Sequence, residues 1–325
     1  MPILARAGAA PGPASNPVPV DARFTDSRRL DFRTLTGDVL AWDGPAWIPM
    51  AGIEGLHMPP REVVRGSVPG LTGSLLTEIR DVERTVTFPV FVGSDDGHRA
   101  HLEQLARLEA FLDFTGIDYA SAGGTFDLVA TSASGTRSLR CVYLEGMEGG
   151  EGTDFGVWWA SFGLRLLAVD PYWHGTPWST QTLRVPGPIG WLSAADGSYT
   201  VAWPGGITNS LVIGANMPVE VTGTAPSWAS IEVVGPATTF RARTSSGLDV
   251  TLVGGLAAGE TVRVDTDPRN RDVTFNGTRD WSRVAPGDRW EPMLPGTSSV
   301  TLTMADATDA SSARLFGESL FKRAW

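Results

Sequence analysis

The chain has 325 residues, of which 42% are hydrophobic and 19% are charged, so it holds enough apolar material for packed cores and is not a disordered or fibrous protein. It carries 26 basic and 36 acidic residues, a formal net charge of −10, which argues against coating nucleic acid because such binding needs cations to displace phosphate counterions. Glycine (38) and proline (23) are frequent, which favours many turns between short strands. At about 150 residues per domain, the length predicts two domains.

Residues 1–22 are predicted to form a proline-rich arm, with prolines at 2, 11, 13, 17 and 19 among Ala, Gly and Ser. Such a segment is expected to be extended or irregular, and it cannot pack alone but could lie on a neighbouring copy. The chain has neither the apolar stretch of a signal peptide nor one of about 20 residues that would span a bilayer. We therefore expect no export by the usual route and no membrane anchor.

Short strands follow the arm up to residue 92, and one helix comes after them. Val86, Phe88 and Val90 alternate with other residues along the last of these strands, 83–92. The segment 98–114 predicts a helix, because apolar residues recur there at steps of three and four. We expect its buried face to carry Leu102, Leu105, Ala106, Glu109 and Leu112, and its N-cap to come from Ser94, Asp95 or Asp96.

From residue 125 to the end the pattern is strand and turn. Strands are predicted at 125–131, 138–144 and 155–169, and a domain boundary is expected between 173 and 200. Eight further strands are predicted at 219–222, 230–234, 239–243, 249–253, 261–265, 272–275, 299–304 and 313–321. Their even spacing is typical of a β-sandwich, and Asn276-Gly277 is read as a tight hairpin turn rather than a glycosylation site. The fold class is thus mainly β with one clear helix.

No catalytic, cofactor or metal site is predicted, so the chain is not expected to be an enzyme. It lacks a nucleophile elbow, a phosphate-binding loop and a zinc helix. His98 and His101 with Asp95 and Asp96 could ligate a metal, but they are better explained as an ordinary first helical turn. The acidic run 265–272 resembles a calcium loop, yet it lacks the central glycine and the closing glutamate, and is read as strand, turn and strand. Cys141, the single cysteine, is expected to be buried on a strand.

An acidic, glycine-rich loop joins two strong strands after residue 144. Its carboxylates are Glu145, Glu148, Glu151 and Asp154. One reading is a solvated mobile hairpin loop. The other is a surface that faces an anionic partner or passage and discourages contact through like-charge repulsion.

The order of several weak motifs resembles the distal tail protein family of long-tailed bacteriophages. In the second half the motifs are a glycine-punctuated run from Pro218 to Pro226, the strand from Ser230, the segment from Gly259 to Thr266, the turn Asn276-Gly277 and the segment from Trp290 to Gly296. In the first half they are the segment from Gly55 to Pro60, a strand that leads into one helix, and the closing Asp170-Pro171-Tyr172-Trp173. The likeness covers roughly residues 25–325.

This resemblance implies a ring-forming belt domain at 23–175, a split barrel with one helix, and a galectin-like β-sandwich at 176–325. It implies a structural virion protein, assembled in the host cytoplasm, whose six copies form a ring at the tail tip. The implied partners are the tail tube protein, the tail-tip hub protein with the tape measure, and tail fibres or a receptor-binding protein. DNA would pass through the centre without specific binding. We hypothesise in addition that some of Glu145, Glu148, Glu151 and Asp154 face that lumen. The longer proline-rich arm departs from the plainest members of the family.

Two alternatives remain open from the sequence. The chain has 12 tryptophans, and several in the second half could stack on sugars, which would make the sandwich a carbohydrate- or receptor-binding module. They could equally fill cores and subunit contacts. A cell-wall hydrolase is the other alternative, but a glycosidase needs two carboxylates across a cleft, and no pair stands out among 36 acidic residues.

Overall fold

The structure is a computed structural model that describes residues 28–42, 47–67, 70, 72–112, 124–148, 158–184 and 215–325. Over these residues the protein is mainly β, with a single α-helix, α1 (His98–Leu112), and a short 3-10 helix, Trp281–Arg283. This confirms the predicted fold class. The proline-rich arm lies outside the described residues.

Eleven described strands precede residue 185: β1 (Arg29–Thr34), β2 (Val39–Ala41), β3 (Trp47–Pro49), β4 (Arg61–Gly66), β5 (Leu75–Asp81), β6 (Arg84–Gly93), β7 (Thr125–Ser132), β8 (Gly135–Glu145), β9 (Trp159–Ala168), β10 (Trp173–Ser179) and β11 (Leu183–Arg184). Nine described strands follow residue 214: β12 (Ala215–Val221), β13 (Ala229–Val234), β14 (Thr239–Thr244), β15 (Asp249–Leu252), β16 (Thr261–Asp265), β17 (Asp272–Phe275), β18 (Thr278–Arg279), β19 (Gly296–Ala305) and β20 (Ser312–Phe321).

The strands of the first core form because their apolar residues alternate. Along β6, Val86, Phe88 and Val90 are fully buried, while the residues between them are partly exposed. β6 pairs with β9 over its whole length, and β7 pairs with β8 and β1. Alternation puts every second side chain on one face of a sheet, so these strands bury a common apolar face. Phe32 and Phe126 lie in the same core, with ring centroids 4.9 Å apart.

Helix α1 covers this core with a face that agrees only in part with the predicted one. Its buried residues are His101, Leu105, Leu108 and Leu112, so Leu105 and Leu112 are confirmed. Leu102, Ala106 and Glu109 are exposed, and the prediction was wrong for these three. A buried histidine replaces a leucine in the i, i+4, i+7 pattern, which a reading of apolar residues alone cannot find.

The second core lies between two antiparallel sheets. One sheet contains β12, β19, β14 and β15, and the other runs from β18 through β17, β16 and β13 to β20. Their inward side chains form one buried cluster, with Ile231, Phe240 and Leu315 among its members. Two layers with alternating burial make a β-sandwich. The turn Asn276-Gly277 has φ of 48° and 79° and joins β17 to β18, as expected for a tight hairpin.

Both cores share one continuous sheet. β20 pairs with β13 in the sandwich and with β10, and β10 touches β8 of the first core at the single register pair His174–Ser138. We call this place the seam. The predicted domain limits 23–175 and 176–325 stay a prediction, and residues 185–214 lie outside the described part.

Candidate assembly surfaces

The hairpin formed by β4 and β5 exposes a cluster of apolar side chains. These two strands pair only with each other among the described strands. Val63 and Ile79 lie opposite each other in the register and are 41% and 51% exposed, and Leu76 is 60% exposed. An isolated two-stranded hairpin is marginally stable in water, and clustered exposed apolar residues mark interaction sites. The hairpin therefore has the composition of a docking element.

The base of the hairpin is anchored through Asp81. Its carboxylate pairs with Arg61 across the hairpin at 3.0 Å, accepts a hydrogen bond from the Tyr172 hydroxyl at 2.9 Å, and pairs with Lys322 at 3.1 Å. Burial alone would raise the pKa of this carboxyl, but the hydrogen bonds from Tyr172, Lys322 and Arg61 outweigh it and lower the pKa. Asp81 is thus held as a carboxylate that fixes where the hairpin leaves the body of the protein.

Residues 322–325, which we call the C-terminal strap, are clamped onto the first core. Arg84, 1% exposed, donates hydrogen bonds to the carbonyl oxygens of Gly55 at 2.8 Å, His57 at 2.7 Å and Lys322 at 2.8 Å. Burial lowers the pKa of Arg84 to about 10, so the guanidinium is still charged at neutral pH. The fixed fork of a guanidinium can serve several carbonyl acceptors at once.

A second arginine and a backbone bond complete the clamp. Arg137 donates to the carbonyl oxygen of Arg323 at 2.9 Å, and its guanidinium carbon lies 3.8 Å from the centre of the Phe321 ring. The amide of Ala324 donates to the carbonyl oxygen of Leu56 at 2.9 Å. Through the strap, the last strand of the sandwich is tied to the first core.

Charged groups brace the seam. His174 bonds through Nδ1 to Glu318 at 2.7 Å and through Nε2 to Asp170 at 3.0 Å, and Arg269 from the sandwich also pairs with Asp170. Burial disfavours the imidazolium, but the bonds to both carboxylates outweigh it and raise the pKa of His174 to about 9. The contacts with His174 lower the pKa values of Asp170 and Glu318, against the opposing effect of burial. At neutral pH the seam is a network of full charges.

Only half of the predicted acidic loop falls in the described part of the chain. Glu145 ends β8 and forms an ion pair with Arg165 of β9, which offsets much of its charge. Glu148 is exposed and accepts a hydrogen bond from the amide of Gly146 at 2.7 Å, and backbone hydrogen bonds lower its pKa. Glu151 and Asp154 lie outside the described residues. That the loop faces a lumen stays a prediction.

The candidate metal ligands and the single cysteine have different surroundings in the structure. His98 is exposed at the start of α1, whereas His101 is buried, its pKa lowered by burial, and neither of its ring nitrogens has a hydrogen-bond partner in the described part. Cys141 is fully buried on β8, as the sequence predicted, and burial raises the pKa of its thiol. The described residues contain no group of three or more His, Cys, Asp or Glu placed to hold a metal ion.

Asp265 ends β16 and Asp272 begins β17, which confirms the interpretation of this acidic run as strand, turn and strand. Trp281 and Trp290, two of the tryptophans that could stack on sugars, pack against each other with centroids 6.0 Å apart. Arg271 lies over the ring of Trp290 at 4.9 Å, so that ring already has a partner. No helix in the described ranges is long and apolar enough to cross a membrane.

Sequence reasoning missed the two structural features that dominate the first unit. Strands were predicted from Arg61 to Asp81, but their sequence pattern does not indicate that both faces of the hairpin are exposed. The strap has no signal at all, because its partners Arg84 and Arg137 are far away in the chain. A buried arginine becomes recognisable only when the carbonyl groups that it serves are placed around it.

Two comparisons relate this chain to known proteins. Residues 222–314 match the family described as siphovirus-type tail component, C-terminal domain. The crystal structure of SPP1 Dit, described as a paradigm of the hub adsorption apparatus in phages that infect Gram-positive bacteria, aligns with a TM-score of 0.59 and 15% identity, over 89% of this chain and 98% of that one.

The baseplate of phage P2 in its activated conformation with calcium aligns with a TM-score of 0.47 and 7% identity, over 89% of this chain and 97% of that one. No curated protein matches the chain. The likeness to SPP1 Dit therefore gives the fold, and the family match applies to residues 222–314.

Proposed function

We propose that this chain is the subunit of a ring that joins the tail tube to the tail tip. The match of residues 222–314 to the siphovirus-type tail component family and the fold shared with SPP1 Dit support the proposal. The location of the chain is the virion, at the phage tail tip, and its role is structural. We further propose six copies per ring, with an open centre through which DNA passes. The division into arm, belt domain and sandwich at 1–22, 23–175 and 176–325 belongs to this proposal.

The observation that carries the proposal is the hairpin of β4 and β5. Its base is fixed by Asp81, so it projects in a defined direction, while Val63, Leu76 and Ile79 leave apolar surface in water. A hairpin that packs on a different surface of the next copy makes a heterologous contact, and such contacts close into rings when the rotation fits. Burying these side chains would also supply the stability that a lone hairpin lacks.

The remaining roles follow from the ring. We propose that the acidic loop lines the lumen with Glu148, Glu151 and Asp154, whereas the pairing of Glu145 with Arg165 limits its contribution. Like charge would keep DNA from adhering during passage. The tail tube protein, the hub protein with the tape measure, and fibres or a receptor-binding protein are the proposed partners. The family is a structural tail component, and we propose that the protein has no catalytic activity.

The test is a pair of double variants measured for assembly. Val63→Asp with Ile79→Asp places two charges on the hairpin, and Val253→Asp with Leu294→Asp places two charges on exposed apolar sites of the sandwich, 38% and 52% exposed. Mass photometry and negative-stain imaging, with and without purified tail tubes, should give rings for the wild type and the sandwich variant and single subunits for the hairpin variant. Rings of unchanged abundance from the hairpin variant would refute the proposal.

A further inference from the structure

We propose that the proline-rich stretch 11–20 of the arm docks in cis into an apolar groove of the first unit, where it covers the C-terminal strap. This inference is independent of ring formation. The groove has a volume of about 570 Å³ and lies between the start of β1, the segment 49–57 and the strap. Its apolar wall consists of Leu30, Trp42, Met50, Ile53, Leu56 and Trp325.

The groove has the chemistry of a site for an extended segment. Trp325 is partly exposed and provides aromatic surface, Met50 is 44% exposed, and Trp42 contributes only an edge because it is 3% exposed. Proline-rich segments are recognised in this way, by aromatic-lined grooves that accept a preformed extended chain.

The described part of the chain begins at the wall of the groove. Arg28, the first described residue, forms part of the groove wall, and its guanidinium carbon lies 5.2 Å from the centre of the Trp325 ring. Pro11, Pro13, Pro17 and Pro19 are concentrated in one ten-residue stretch of the arm. The seven residues 21–27 between this stretch and Arg28 span at most about 25 Å, which allows the chain to turn back into the groove.

The short connection selects the chain's own arm as occupant. A tether of this length gives an effective concentration in the millimolar range, which favours the arm of the same chain over that of a free copy. Prolines also lose less conformational freedom on docking, because their φ is already fixed. Docked there, the arm would lie over Trp325 and hold the strap against the first core.

A photo-crosslinking experiment on the full chain tests this. Cys141, the single native cysteine, is fully buried, so Val18→Cys provides one accessible thiol for a short photoactivatable label. Equal amounts of isotopically light and heavy protein are mixed before illumination, and the crosslinked peptides are identified by mass spectrometry. We expect adducts on the groove segment 49–57 or on Trp325, with both peptides from chains of the same isotope.

Two further variants make the test specific. Met50→Asp places a charge in the groove wall and should abolish the groove adducts, whereas Met58→Asp, at a residue that is 56% exposed and outside the groove, should leave them unchanged. Adducts that join light and heavy chains, as for an arm that clasps a neighbouring copy, would overturn the proposal. So would adducts confined to other surfaces, or groove adducts that persist in Met50→Asp.

Discussion

The hairpin of β4 and β5 and the C-terminal strap both extend beyond the sheets they adjoin, and they meet at Asp81, yet their surroundings are opposite. The strap has backbone groups bonded to Arg84 and Arg137, and Ala324 is buried. The hairpin is exposed along nearly its whole length, and its apolar side chains face water. The strap is therefore completed within the chain, whereas we propose that the hairpin is completed by contact with another subunit.

This difference separates the contacts that stabilise the fold from the surface that is available for assembly. Burying a charged arginine is tolerated only where acceptors satisfy it, and the strap supplies two of the four carbonyl oxygens that Arg84 and Arg137 use. None of the arginines on β4 and β5 is buried. We therefore expect strap variants to change the free energy of unfolding and hairpin variants to change assembly.

The largest effect on stability is expected from the strap. Arg84→Met removes three hydrogen bonds to carbonyl groups and should lower the free energy of unfolding by about 2–4 kcal/mol, since each lost bond leaves a buried acceptor unsatisfied. Thermal and urea unfolding measure the change. Arg99→Met, at an almost fully exposed side chain, is the matched control. Equal unfolding curves for the two variants would show that the clamp does not stabilise the fold.

A smaller effect, with a defined pH dependence, is expected at the seam. His174 has a raised pKa, so its contribution to stability is complete below its ordinary value near 6.5 and is lost as the pH rises through about 9. The depressed pKa values of Asp170 and Glu318 make their contribution complete above the ordinary values of these carboxyls, and it is lost as the pH falls through the lowered ones.

His174→Gln keeps the polarity of the side chain without the charge. Between about pH 6.5 and 9 the wild type should lose about 1–2 kcal/mol more stability than this variant, a figure reduced for solvent screening because the side chain is one-third exposed. Urea unfolding at a series of pH values measures it. Parallel pH profiles for wild type and variant would mean that the imidazolium does not brace the seam.

The smallest effect on stability is expected from the hairpin. Val63→Asp with Ile79→Asp should change the free energy of unfolding of the unassembled protein by no more than about 0.5 kcal/mol, because exposed side chains rarely contribute more. Unfolding at dilutions where no rings form measures it. A loss comparable to that of Arg84→Met would mean that the hairpin packs within its own chain, and the contrast with the strap would fail.

Most strands of the sandwich could be predicted from the sequence, because each has a local pattern of alternating apolar residues bounded by turn residues. The predicted strands 261–265 and 272–275 coincide with β16 and β17, and Asn276-Gly277 forms the expected turn. Here apolar alternation and turn chemistry act within a few residues. The family resemblance, based on the same segments, was also correct for this half of the chain.

The first unit shows what such patterns cannot give. His101 takes a core position on α1 that hydrophobicity alone assigned to Leu102. The bond from Arg84 to Lys322 links residues 238 positions apart, and no local signal anticipates it. The acidic loop looked like a uniform patch of charge, but the return strand β9 brings Arg165 to Glu145. Contacts across strands far apart in sequence decide burial and charge at these places, and only the folded structure contains them.

The most direct test of the central claim, that the exposed hairpin completes a ring, is a cryo-electron microscopy reconstruction of the assembled protein. We predict six copies around an open centre, with Val63, Leu76 and Ile79 buried against the neighbouring copy and the strap unchanged within each subunit. A ring in which the hairpin stays in solvent, or a protein that remains a single subunit even in the presence of tail tubes, would contradict the account.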